Sequence, residues 1–209
     1  MLTNFIRLFT SIKTRISIRE KVLFLTFDDG PIPEVTPLVL DMLSEHQAKA
    51  SFFCVGENIR KNPGVFERLL KEGHAIGNHT FNHLDGWKNT GKKYLENVEQ
   101  CREIMTRQGV KENSDLLFRP PYGKLKLSQY IALKKKYQVV MWDVLCRDWE
   151  ENRAAESCIA RIKKKAVPGS ILVFHDSMKA RTRMLPALEE TLHYYGRLGY
   201  KFESLDKYI

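Results

Sequence analysis

Short apolar runs alternate with amphipathic stretches along almost the whole chain, and that alternation constrains the fold more than any other feature. Runs of strand length fall at Val22 to Phe27, Ala50 to Val55, His74 to Gly77, Leu116 to Phe118, Gln138 to Val144, Ser170 to Phe174 and Lys201 to Leu205. Between them, apolar residues recur at helical spacing over Val35 to His46, Val65 to Glu72, Tyr94 to Gln108, Ser128 to Lys136, Ala155 to Lys165 and Met184 to Arg197. Strand, helix and strand in succession imply parallel strands joined by right-handed crossovers. In a chain of 209 residues this predicts an α/β protein, a single irregular (β/α) barrel of about seven parallel strands.

Composition excludes several alternatives. With 43% hydrophobic and 28% charged residues the chain can bury a core, and global disorder is not expected. No apolar run approaches the roughly 20 residues needed to span a bilayer. The four cysteines, Cys54, Cys101, Cys146 and Cys158, lack C-x-x-C spacing and read as reduced core thiols. The excess of 34 Lys and Arg over 25 Asp and Glu gives a net charge of +9. Its densest runs, Lys134 to Lys136 and Lys163 to Lys165, fall near predicted helix ends, where cations meet the negative pole of the helix dipole, so no nucleic-acid partner is expected.

Residues 1–20 stand apart as an N-terminal amphipathic basic segment. Phe5, Leu8 or Phe9, Ile12 and Ile16 recur at helical spacing with basic residues between them. This predicts a helix that closes the bottom of the barrel or makes weak contact with an anionic membrane surface. The segment shows neither an unbroken apolar core nor a small-residue cleavage site, so a cytoplasmic or membrane-peripheral location is expected.

The polar residues capable of chemistry cluster at the C-terminal ends of predicted strands, the face on which barrel enzymes build their sites. The first strand runs into Thr26-Phe27-Asp28-Asp29-Gly30-Pro31. Neighbours on a strand point to opposite sides, so two adjacent carboxylates can hold different tasks. The third is followed by His79 and His83, whose spacing of four would place both imidazoles on one face of a helical turn. With Asp28 or Asp29 they make a His₂-carboxylate set that leaves coordination positions open, the donor set of a catalytic rather than a structural metal. Beyond the fourth strand come Arg119, a fixed charge suited to orienting a carboxylate, then Pro120 and Pro121, which lack N–H groups, and Tyr122. Trp142, Asp143, Asp148 and Trp149 supply acids and aromatics near the mouth, and His175 closes an apolar strand as a candidate acid or base.

In order and wording, the T-F-D-D-G-P, H-T-x-x-H and R-P-P-Y-G motifs, Asp148-Trp149 and His175 resemble the five motifs of the NodB-homology polysaccharide deacetylases, which include chitin and peptidoglycan deacetylases. The resemblance covers roughly residues 20 to 206, and residues 21–209 are expected to form the catalytic domain. It implies a divalent metal, usually Zn²⁺, with Co²⁺, Ni²⁺ or Mn²⁺ as alternatives, held by Asp29, His79 and His83. It further implies Asp28 as general base, Arg119 as its orienting partner, His175 as general acid, and the Tyr122 N–H after Pro121 as oxyanion donor. Asp148 or Asp143 would orient His175. Read from the residues alone, Trp142 and Trp149 line a sugar groove or serve plain packing. Two positions depart from the pattern: Leu145 stands where the fourth motif commonly begins with Asp, and Val173 replaces a Leu in the fifth.

The expected reaction is hydrolysis of the N-acetyl group of an N-acetylated amino sugar, in an oligosaccharide, a polymer or a lipid-linked saccharide. Three other readings remain open: an amidase of the same fold acting on a non-polymeric substrate such as a formamido sugar or allantoin, an inactive carbohydrate-binding protein, and nucleic-acid binding by the basic surface. His46, His74 and His193 read as surface or satisfied core residues, and Trp87 as rim or core packing.

Overall fold

The computed structural model describes residues 12–111 and 116–209. Eight strands alternate with helices: β1 (Val22–Asp28), α1 (Thr36–Glu45), β2 (Ala50–Cys54), α2 (Gly56–Lys61), α3 (Pro63–Lys71), β3 (Ala75–Asn78), α4 (Gly91–Arg107), β4 (Leu116–Phe118), α5 (Leu127–Leu133), β5 (Tyr137–Val139), β6 (Val144–Leu145), α6 (Ala155–Lys165), β7 (Ile171–His175), α7 (Arg181–Arg197) and β8 (Lys201–Phe202). The strand order is β5-β4-β3-β2-β1-β7-β6, with β8 added beside the start of β1, and the paired strands all run parallel. This is the expected (β/α) barrel, curled and left open between β5 and β6. Among the described residues, no helix is long and apolar enough to cross a membrane.

The two-residue period of the strands sorts their side chains into two cores. Leu23, Leu25, Phe27, Phe52, Leu172 and Phe174 point outward and pack beneath the helices, against Val39, Leu43, Leu188 and Leu192 among others. Val22, Phe24, Phe53, Leu117, Val140 and Ile171 point inward and fill the lower lumen. Continuing the inward series upward along β1 reaches Thr26 and then Asp28, and along β7 it reaches Val173 and then His175. The pleat alone therefore delivers the base and acid candidates to the mouth of the lumen.

Two expectations change. Residues 12–20 are extended rather than helical: Lys13 bridges Val140 in parallel and Arg15 bridges Ser170 in antiparallel fashion. The segment is held by Lys13 N–H to Val139 O at 3.0 Å, Met141 N–H to Lys13 O at 2.7 Å and Ile16 N–H to Gly169 O at 2.9 Å. It crosses the foot of the opening from the end of β5 to the start of β7 and drops Ile16 into the lumen core, while Ile12 packs on the outer core. The free backbone groups at that gap draw the chain into strand-like pairing despite its helical spacing. A Cβ at Gly169, whose φ is +82°, would lie 1.9 Å from Ile16 O, so glycine is what permits the close passage. Phe5, Leu8 and Phe9, on which the membrane-contact reading rests, lie outside the described residues.

The single strand expected over Gln138 to Val144 is two, β5 and β6. Between them the chain crosses the opening: Met141 O accepts from Arg119 Nη2 at 3.1 Å. The Asp143 carboxylate takes the Ile171 N–H and the Ser170 hydroxyl, both at 2.8 Å, standing in for a strand partner at the foot of β7. The short helix α2 carries one buried apolar residue, Ile59, among Glu57, Asn58, Arg60 and Lys61, too little to make an apolar period.

Candidate active site

The first two motifs meet at one point. Asp29 Oδ1 lies 3.3 Å from His83 Nε2 and 3.9 Å from His79 Nε2, and one donor atom from each residue falls within 4.8 Å of the others. Donors bound at about 2.0–2.2 Å around one tetrahedral ion stand roughly 3.4 Å apart, close to these separations. Asp29 Oδ1 is buried and has no hydrogen-bond partner, a costly state for a carboxylate oxygen that a cation would relieve. His79 Nδ1 is 2.7 Å from Arg119 O, so that nitrogen carries the proton and Nε2 is left as a free lone pair. Burial lowers the His79 pKa to about 4 and keeps the ring neutral, as ligation requires. His83 Nδ1 is 3.1 Å from the Tyr122 hydroxyl.

The histidine pair is not carried on a helical turn. Residues 79–83 form a loop in which Thr80 and His83 adopt φ of 64° and 56°. Side chains replace the missing helical bonds: Asn78 Oδ1 accepts from Thr80 N–H at 2.9 Å, Thr80 Oγ1 from Leu84 N–H at 2.8 Å, and Asn97 Oδ1 from Phe81 N–H at 2.8 Å.

Asp28 sits beside this cluster, its Oδ2 4.0 Å from His79 Nε2 and its Oδ1 2.7 Å from Arg119 Nη1. Arg119 is fully buried; it also donates to Thr26 Oγ1 at 2.7 Å and to the Val140 and Met141 carbonyls, and its guanidinium lies 4.0 Å from the Phe53 ring centre. Burial alone would raise the Asp28 pKa, but the charge and hydrogen bond of Arg119, helped by the charge of His175, more than offset it and hold the carboxyl below its ordinary value.

Across the mouth, His175 Nδ1 is 2.8 Å from Asp148 Oδ1, and the His175 N–H donates to Asp148 Oδ2 at 2.8 Å. Of the two acids available in sequence, Asp148 therefore orients the ring, and Asp143 serves the foot of β7. Burial works to lower the His175 pKa, yet the hydrogen bond and charge of Asp148 prevail and carry it up to about 9. The Trp149 ring meets His175 edge-on with centres 4.8 Å apart.

These groups surround a pocket of about 390 Å³ lined by Asp28, Asp29, His79, His83, Pro120, Tyr122, Gly123, Trp142, Leu145, Trp149, Val173, His175 and Lys179. Leu145 and Val173, the two departures from the family pattern, are register neighbours on β6 and β7 and form one apolar wall. Pro121 is buried and lies outside this lining, between Pro120 and Tyr122. Trp87 is 53% exposed outside the pocket, with Lys124 Nζ 5.6 Å from its ring centre. His74 is buried and accepts from the Ala50 N–H at 3.2 Å, while His46 and His193 pair edge to face. All four cysteines are buried and free.

Thr26, Asn58, Asn97 and Asp176 escaped the sequence reading. Each bonds to a site residue or to the backbone beside one, and only Asp176 carried a visible signal, being a charged residue directly after His175 at the end of an apolar strand.

Parallel strands whose C-terminal ends bring Asp28, Asp29, His79, His83 and His175 to one pocket define a (β/α) barrel with a site of the kind hydrolases use. The polysaccharide deacetylase family model matches residues 16–142, and the chain belongs to that family. It is 38% identical over 193 residues to a peptidoglycan-N-acetylglucosamine deacetylase of Bacillus cereus, covering 91% of this chain and 89% of that one. It is 36% identical over 167 residues to a chitooligosaccharide deacetylase of Azorhizobium caulinodans, covering 78% and 77%. The crystal structure of a peptidoglycan N-acetylglucosamine deacetylase superimposes with a TM-score of 0.88 at 29% identity, covering 95% of this chain and 92% of that one. The protein is accordingly a hydrolase of carbon–nitrogen bonds that removes acetyl groups from N-acetylated sugars.

Proposed function

We propose that the protein is a metal-dependent deacetylase of N-acetylglucosamine-containing saccharides of the peptidoglycan or chitin type, with Zn²⁺ as the first candidate metal and Co²⁺, Ni²⁺ or Mn²⁺ as substitutes. The observation that carries this reading is the orphaned, buried Asp29 Oδ1 facing the free Nε2 atoms of His79 and His83. Asp29, His79 and His83 would hold a divalent ion there, which when bound would supply Lewis acidity toward the acetyl carbonyl and lower the pKa of a nearby water.

The remaining steps belong to side chains and backbone. Asp28 has one oxygen committed to Arg119 and the other free toward the cluster, so Oδ2 accepts the proton of the attacking water as its oxygen bonds to the carbonyl carbon. The Tyr122 N–H, the first donor after two prolines, receives the developing oxyanion. The bond from carbon to nitrogen then breaks, and His175 gives its Nε2 proton to the departing amine, leaving acetate and a free amino sugar. Asp148 holds the proton of His175 on Nδ1 and stabilises the charged ring before transfer. Leu145, Val173 and Trp149 enclose a small apolar group, which suits the acetyl methyl.

Metal content measured beside acetate release from chitooligosaccharides and from peptidoglycan tests the reading. The expected result is about one divalent ion per chain, lost in His79→Ala, and retained without acetate release in Asp28→Asn. Wild-type protein that binds no metal would overturn it; metal binding without acetate release from either substrate would retain the site and overturn the substrate.

A further inference from the structure

The metal-type donor Asp29 has a backbone φ of 88°, a conformation that a residue with a Cβ adopts only under constraint. The constraint is visible in the peptide unit that follows it. Its carbonyl, Asp29 O, accepts from Asn58 Nδ2 on α2 at 2.8 Å, and its amide, Gly30 N–H, donates to Asp176 Oδ1 beyond β7 at 2.9 Å. Two side chains from opposite sides of β1 thus hold the two ends of one peptide plane.

Asp176 is unusual in its own right. It is fully buried, and no cation is among the partners of its carboxylate: Oδ1 takes the Gly30 N–H and Oδ2 takes the Thr36 hydroxyl at 2.5 Å. Burial raises its pKa to about 8, which shows the energetic cost of placing an acid there. Leu172 and Phe174, on the same face of β7, are plain core residues, so an apolar side chain would satisfy packing at that level. The carboxylate is also matched sterically to its neighbour, since a Cβ on Gly30 would fall 2.0 Å from Asp176 Oδ2. Thr36 closes the arrangement by accepting from the Ile32 N–H at 2.8 Å, tying α1 to the same turn.

We propose that Asn58 and Asp176 are positioning residues that clamp the Asp29–Gly30 peptide and thereby aim Asp29 Oδ1 at the histidine pair, setting the affinity of the chain for its divalent ion. Neither residue touches the donor atoms; both act through the dihedral angles of Asp29. The inference rests on the metal reading above and adds to it a cause for the donor geometry.

The test is Co²⁺ titration of metal-free protein, followed by visible absorbance of the bound ion, in wild type, Asp176→Leu, Asp176→Asn, Asn58→Ala and the Asn58→Ala/Asp176→Leu double variant. Asp176→Leu removes the acceptor at similar size, and Asp176→Asn keeps an oxygen for the Gly30 N–H. Removing groups that orient a ligand typically weakens metal binding about 10- to 100-fold. The expected result is a loss in that range for Asp176→Leu, a smaller loss for Asn58→Ala, restoration to within about threefold in Asp176→Asn, and a double variant weaker by less than the product of the two. Asn58 is only half-buried, so that variant remains informative if Asp176→Leu does not fold. Wild-type Co²⁺ affinity in folded Asp176→Leu, or in folded Asn58→Ala should Asp176→Leu not fold, overturns the proposal even if melting temperatures fall. Absence of Co²⁺ binding in wild type overturns instead the metal reading on which it rests.

Discussion

The two walls of the pocket treat the same side chain in opposite ways. On the wall built by β1, β3 and β4, His79 is buried against a backbone carbonyl, and its pKa falls to about 4. On the wall built by β6 and β7, His175 is nearly as enclosed but faces the Asp148 carboxylate, and its pKa rises to about 9. A carbonyl fixes the tautomer without compensating a charge, so burial prevails; a carboxylate fixes the same tautomer and stabilises the cation, so burial loses. One wall therefore holds a neutral imidazole suited to a metal and the other a protonated imidazole suited to give up a proton. The division of labour follows chiefly from what stands behind each Nδ1, since at His79 burial also outweighs the Asp28 and Asp29 carboxylates that lie 4.0 and 3.9 Å from its Nε2.

The most severe way to break this contrast is on the first wall. His79→Ala is expected to remove metal and to lower kcat/KM by at least about 10³-fold, read by metal analysis and acetate release together. Asp28→Asn should leave metal content unchanged while lowering kcat about 10²- to 10⁴-fold, the range of a lost general base.

On the second wall, Asp148→Asn keeps an acceptor for the His175 ring but removes the charge behind it. The alkaline limb of the kcat profile is expected to move from about 9 toward the ordinary histidine value of 6.5, with kcat at pH 8 falling about tenfold or more. The same shift has a stability counterpart. Because the folded His175 pKa lies above its ordinary 6.5, its contribution is complete below that value and fades as pH rises through about 9. Wild type should therefore lose more melting temperature between pH 7 and 10 than Asp148→Asn does.

Arg119→Met leaves the Asp28 carboxylate buried without its cation, and a loss of about 3–5 kcal/mol is expected in chemical denaturation. The smallest effect concerns the wall shared by Leu145 and Val173. Leu145→Ala should improve the ratio of propionyl to acetyl turnover by about tenfold, the scale of one methylene in an apolar pocket, without changing the pH profile.

The legibility of the site in the sequence differs by residue. Asp28, Asp29, His79, His83 and His175 were readable because strand ends and strand period are local properties, and the structure brings all of them to one pocket. The choice between Asp143 and Asp148 was not readable, since the two acids lie five residues apart and only the short strand β6, which the sequence does not set off, places them at opposite ends of β7. The helical spacing of Ile12 and Ile16 misled for a related reason: unsatisfied backbone at the same opening outweighed a local pattern.

The sequence by itself determined the alternation of strands and helices, the parallel barrel, and which residues stand at its mouth, because hydrophobic period and strand termini are properties of adjacent residues. Only the tertiary structure decided the role of Asp148, the extended closure at residues 13–16, the loop that brings His79 to His83, and the hold of Asn58 and Asp176 on one peptide. Those depend on groups separated by tens of residues meeting across a curved sheet, and the geometry of such a meeting is set by the packing of the whole chain rather than by any segment of it.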